Sequence, residues 1–132
     1  MKLKYAVVGM ILFLAACAGK PLYNVQDHPI PLTAQSLPLD RLEAAIIEAG
    51  QSRSWQFQRV SMGTLRATQV VTARNLSAEV EILFDQKAYS IRYISSQGMK
   101  EQDGTIHPHY NMWIGNLERD IYTRMSNVSF GK

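Results

Sequence analysis

Cysteine occurs once in the 132 residues, at position 17. A single cysteine cannot close a disulfide within the chain or build a CxxC-type metal site. Basic residues form no run, so there is no electrostatic footprint for nucleic acid. Long apolar runs are also scarce. The stretch from Tyr5 to Leu14 has about ten residues, against the roughly 20 that a membrane-spanning helix needs. GxSxG, HExxH and Gly-rich phosphate loops are absent, as are internal repeats and low-complexity tracts.

What is present begins with an address. Lys2 and Lys4 form a positive leader, Tyr5–Leu14 an apolar stretch, and Leu14-Ala15-Ala16-Cys17 a small-residue cleavage point ending on the lone cysteine. The motif resembles the bacterial lipobox. That resemblance implies removal of a signal peptide over 1–16, a thioether-linked diacylglycerol on Cys17 and acylation of the new α-amine with a fatty acid such as palmitate. Several acyl chains, at about 0.8 kcal/mol per buried CH₂, make a lasting membrane anchor. Ala18 is not the Asp that marks inner-membrane retention in enteric-type sorting, which favours the periplasmic face of the outer membrane. Without Lys2 and Lys4 the basic excess falls from three charges to one.

Residues 17–37 read as a lipidated N-terminus and tether. Pro21, Pro29 and Pro31 break any periodicity, and His28-Pro29-Ile30-Pro31 favours extended or polyproline backbone. A flexible tether of this length reaches roughly 25 Å. A mere linker has little need of Tyr23 and Val25, which are placed to dock on the domain.

Residues 38–132 read as one α+β domain in the order α-β-β-β-β-α. The first helix carries the stripe Leu39, Leu42, Ile46 and Ala49, with Asp40 or Ser36 as its cap and Gly50 near its end. Four alternating strands follow, around Trp55–Gln58, Leu65–Thr72, Ala78–Phe84 and Tyr89–Tyr93. A turn at Gln86-Lys87 pairs Phe84 with Tyr89, Ile82 with Ile91 and Val80 with Tyr93, and sets Glu81 opposite Arg92. A loop over Ala73–Leu76 pairs Ala67 with Ile82 and Leu65 with Phe84. Ser61-Met62-Gly63 pairs Phe57 with Ala67 and places glycine where a left-handed residue is wanted. A one-residue slip would turn an apolar row outward. The last helix starts at Pro108 and aligns Tyr110, Trp113, Ile114, Leu117, Ile121 and Met125. A four-stranded antiparallel meander with both helices packed on one face buries every apolar surface.

Candidate chemistry is sparse. His107-Pro108-His109 and His28 do not supply three or four converging ligands, so no metal and no cofactor are expected, and His107 is read as a helix cap. Glu79 and Glu81 lie about 7 Å apart on one sheet face, with Arg66 and Arg92 on neighbouring strands, as in a cross-strand charge ladder. A ligand site, if the chain has one, belongs at the corner of Tyr93, Ser95, His107, Tyr110 and Asn111, where the longest loop meets a helix start.

The lipobox, Tyr23-Asn24-Val25, Ala78-x-Val80-x-Ile82, Tyr89-Ser90-Ile91-x-Tyr93, Ile106-His107 and Tyr110-Asn111-x-Trp113 resemble a group of uncharacterised small lipoproteins of Gram-negative bacteria. The resemblance covers most of the chain beyond the signal and implies no established activity. It also implies a Gly before the tryptophan, where this chain has Ser54. The leading expectation is a non-enzymatic binding or accessory module, lipid-anchored in the cell envelope, with an envelope protein as its partner and no nucleic acid. The alternative is a small periplasmic hydrolase or ligand-processing enzyme using Tyr93, His107 and Tyr110.

Overall fold

The computed structural model describes residues 19–131; the signal and Cys17 lie outside them. In chain order the elements are β1 (Lys20–Pro21), β2 (Val25–Pro29), a 3-10 turn (Leu32–Ala34), α1 (Leu39–Gln51), β3 (Gln56–Ser61), β4 (Thr64–Val71), a second 3-10 turn (Thr72–Arg74), β5 (Leu76–Phe84), β6 (Ala88–Gln97), β7 (Thr105–Ile106) and α2 (Pro108–Ser129). The fold is α+β. The expected meander β3-β4-β5-β6 is extended by a fifth strand into the order β2-β6-β5-β4-β3, and β1 pairs separately with β7.

The fifth strand corrects the tether. Residues from Lys20 onward belong to the domain, and Val25, Ile30 and Ala34 are buried in its core. The prolines do favour extended backbone, but here that backbone is paired. Val25 lies opposite Ile91, His28 opposite Tyr89 and Pro29 opposite Ala88, with a bulge at which Asp27 takes a positive φ of 51°. Pro29 is tolerated because β2 is an edge strand and one of its sides needs no N–H donor.

The hairpins follow the alternation. Phe84–Tyr89, Ile82–Ile91, Val80–Tyr93, Glu81–Arg92 and Phe57–Ala67 pair as the sequence predicts. The β4–β5 loop differs by one position. It spans Thr72–Asn75, so Ala67 meets Val80 and Leu65 meets Ile82. Asn75 closes the 3-10 turn in the left-handed region, which frees Leu76 to begin β5. Both registers keep the same residues inward. Gly63 has a φ of 89° at the β3–β4 turn.

Both helices contact inward-facing side chains of the sheet. A Cβ on Gly50 of α1 would clash with the Phe57 ring, and Glu43 meets Arg59. Tyr110 and Glu118 of α2 meet Tyr93 and Tyr89. An Arg124–Glu48 ion pair joins the two helices, and Arg53, just beyond α1, pairs with Asp120 of α2. Gly50 is therefore required by close packing within α1, and the helix continues one residue beyond it. The expected Asp40 or Ser36 cap is replaced by Pro38, which makes no side-chain cap bond. Glu43 is buried, yet Arg59 reaches inward from the edge strand, its Nε donating to both carboxylate oxygens at 3.0 Å. On the open sheet face Arg66–Glu79 and Arg92–Glu81 form the charge ladder at 3.5 and 4.0 Å. No helix among the described residues is long and apolar enough to cross a membrane.

Ser54 turns the chain from α1 into β3 with a φ of 70°, a region that costs an L-residue roughly 1–2 kcal/mol. Ser54→Gly relieves that cost and gives back part of it through the freer unfolded chain, for a net gain of about 0.5–1 kcal/mol. Chemical denaturation should show this gain for Ser54→Gly and a loss for Ser54→Val.

Candidate functional site

The corner singled out in the sequence exists, but the chain's own N-terminal segment fills it. Asn111, in the first turn of α2, donates from Nδ2 to the Pro21 carbonyl at 2.8 Å and accepts the Tyr23 N–H on Oδ1 at 3.0 Å. Leu22 donates its N–H to the Gly104 carbonyl at 2.8 Å. Asn24 accepts the N–H of Tyr93 on its side-chain oxygen at 3.1 Å. That N–H belongs to β6 just beyond the end of its pairing with β2, where it would otherwise lack a strand partner.

Four of the five candidate residues gather here in structural roles. The Tyr93 and Tyr110 rings meet edge to face, with centroids 5.4 Å apart. His107 caps α2, its Nδ1 accepting the His109 N–H at 3.1 Å, and Pro108 takes the first helical position. Asn111 is the clamp just described. Ser95 does not join them. An extra residue at Ile94 forms a β-bulge, so Ser95 lies opposite Glu79 on the outer face. Ser96 turns inward in its place and bonds the Tyr93 hydroxyl at 2.8 Å.

Tyr110 is the exception in an otherwise satisfied corner. It is fully buried and its hydroxyl has no hydrogen-bond partner. Burial, with Tyr93 adding to it, pushes the hydroxyl well above the ordinary tyrosine range.

A second cluster lies where β2 crosses α2, and its members are far apart in sequence. His28 stacks on Tyr89 at 4.8 Å and meets the Tyr122 ring at 5.4 Å. The His28 Nδ1–H donates to the Pro29 carbonyl at 3.0 Å, and Nε2 faces Glu118 at 3.9 Å. Glu118 also accepts the Tyr23 hydroxyl at 2.7 Å, while its backbone carbonyl accepts the Tyr89 hydroxyl at 2.8 Å. A cleft of about 480 Å³ opens beside them, lined by His28, Pro29, Glu118, Arg119 and Tyr122. Its polar groups can hold a small ligand, but none of the five is a serine, threonine, cysteine or lysine nucleophile. A broader groove of about 650 Å³ runs over the open sheet face between the β2 bulge and the β5–β6 turn, with Asp27, Asp85, Ser90 and Arg92 among its walls. Among the described residues, no three His, Cys, Asp or Glu side chains converge as a metal site requires.

Sequence reasoning singled out Tyr23 and Val25 as able to dock on the domain but left His28 in the tether, and so missed the cluster. The available signal was two aromatic rings in a segment too short of glycine and serine to be a plain spacer. Compared with protein-family models and with curated proteins, this chain matches none.

Loss of the clamp and loss of the orphaned hydroxyl should have opposite signs. Asn111→Ala removes two hydrogen bonds that hold the N-terminal segment and should cost about 2 kcal/mol, with amide exchange fastest over residues 20–25. Tyr110→Phe removes a buried unpaired group and should be neutral or stabilising by up to about 1 kcal/mol.

The tyrosines also set a limit at high pH. The hydrogen bond to Glu118 raises the Tyr23 hydroxyl above its ordinary value, and burial raises that of Tyr89. The folded state therefore holds these protons more tightly than the unfolded chain. The stability they contribute is intact below about pH 10 and falls as pH rises further. Thermal melts between pH 8 and 12 should show the decline, and Tyr89→Phe should flatten it.

Proposed function

We propose that this protein is a lipid-anchored lipoprotein of the cell envelope, tethered through Cys17 to the periplasmic face of the outer membrane. It acts there as a non-enzymatic binding or accessory module. The observation that carries the reading is the N-terminal sequence itself: Lys2 and Lys4, the apolar stretch 5–14, and Leu14-Ala15-Ala16 immediately before the lone cysteine. Membership among the small Gram-negative lipoproteins that its motifs resemble is part of the same proposal.

The non-enzymatic half rests on how the polar groups of the corner are used. Asn111, His107 and Ser96 each bond the chain's own backbone or side chains. The cleft beside His28 and the groove on the charged sheet face remain open to a ligand or an envelope protein.

Growth of an expressing Gram-negative strain with an alkyne-tagged palmitate tests the anchor. Incorporation into the protein and fractionation with the outer membrane are expected, and Cys17→Ser should abolish both. Incorporation that survives Cys17→Ser would disprove the assignment.

A further inference from the structure

The docking of residues 20–25 changes what a lipid on Cys17 does, and this inference rests on the lipid-anchored reading above. A lipoprotein domain is ordinarily pictured at the end of a leash. Here two residue steps separate Cys17 from Gly19, whose backbone already packs on Ile106; a Cβ at Gly19 would stand 2.9 Å from the Ile106 carbonyl oxygen. At 3.3–3.6 Å per residue, the Cα of Cys17 lies within about 7 Å of that of Gly19. The segment that follows is pinned by the β1–β7 pairing, the Asn111 clamp and the burial of Val25.

The direction of the chain fixes which end is held. β1 runs antiparallel to β7, with Pro21 opposite Thr105 and Lys20 opposite Ile106. Followed backward from Pro21 to Gly19, the chain therefore heads past Ile106 in the direction of His107 and the start of α2. We infer that the lipid enters the bilayer beside the N-terminus of α2 and seats this end of the domain directly on the headgroup surface, with the far end of α2 pointing away. The 22 residues of α2 make a ruler of about 33 Å along the molecule.

The seat is set by chain length and not by charge. Its exposed ions, Lys20 and Lys100 against Glu101 and Asp103, balance. Seating therefore should not weaken as salt is raised, unlike a polybasic attachment.

With Cys17 acylated, an introduced cysteine is the sole free thiol. Met112 and Phe130 are both exposed and lie about 27 Å apart along α2. The full-length acylated protein carrying Met112→Cys or Phe130→Cys would be labelled with a fluorophore. It would then be placed in phosphatidylethanolamine–phosphatidylglycerol vesicles containing a headgroup-nitroxide lipid, after mass spectrometry has verified acylation. The expected result is quenching at position 112 several-fold stronger than at 130, unchanged between low and high salt. A Gly/Ser linker of about 15 residues inserted between Ala18 and Gly19 adds a reach of roughly 20 Å and should remove the difference. Asn111→Ala should reduce it. Equal weak quenching at both positions of verified acylated protein overturns the seating and leaves the anchor standing, and stronger quenching at 130 reverses the orientation. Protein that carries no lipid overturns the anchored reading itself, and the seating with it.

Discussion

A ten-residue central strand cannot keep a bare edge. β6 presents a row of backbone N–H and carbonyl groups on the side away from β5, and the rest of the fold depends on what covers that row. β2 covers its first half. Where the β6 bulge takes the strand out of register, the side chain of Asn24 substitutes for backbone and accepts the Tyr93 N–H. The same N-terminal segment brings Val25, Ile30 and Ala34 into the core and Tyr23 and His28 onto α2. Without it, the free edge of β6 and one flank of α2 would both meet water.

That dependence explains where the polar residues of α2 are placed. Asn111 holds Pro21 and Tyr23, Glu118 holds Tyr23 and faces His28, and Ser129 meets Thr33. The three contacts follow one side of the helix from its first turn to its last, while Tyr110, Ile114, Leu117, Ile121 and Met125 fill the core from the adjacent stripe. A helix that reads as simply amphipathic thus has two distinct partners. One is the sheet and α1, and the other is the segment from Pro21 to Thr33 that precedes α1.

Elements governed by short-range rules were legible in the sequence. The two-residue β5–β6 turn, the inward rows of all four meander strands, Pro108 at the start of α2 and His107 as its cap each follow from neighbours in the chain. Asp85 shows why the turn is so well specified, since its carboxylate accepts the N–H groups of both Lys87 and Ala88. The N-terminal strand and its clamp escaped because they depend on contacts about 60–90 residues distant. β2 is five residues long, bulged and ends in proline, so no alternation survives to mark it. The exchange of Ser95 for Ser96 at the corner follows from one inserted residue, Ile94, that no periodicity announces. The Asn111 clamp needed knowledge that Pro21 and Tyr23 would come back to α2.

The polar residues of the candidate corner do converge, but on the chain's own N-terminal segment, for a reason that applies beyond this chain. Convergent polar residues at a loop–helix junction can signal a ligand or a segment of the same polypeptide, because both present hydrogen-bonding backbone that must be satisfied. Here Asn111 binds an extended strand through one carbonyl and one N–H, as a peptide-recognition groove would, and the bound peptide is residues 21–23. An internal ligand of this kind is present at an effective concentration that no free competitor matches. The corner is thereby removed from the surfaces on which an activity could act. The His28 cleft and the groove on the charged outer face of the sheet, by contrast, remain open to solvent.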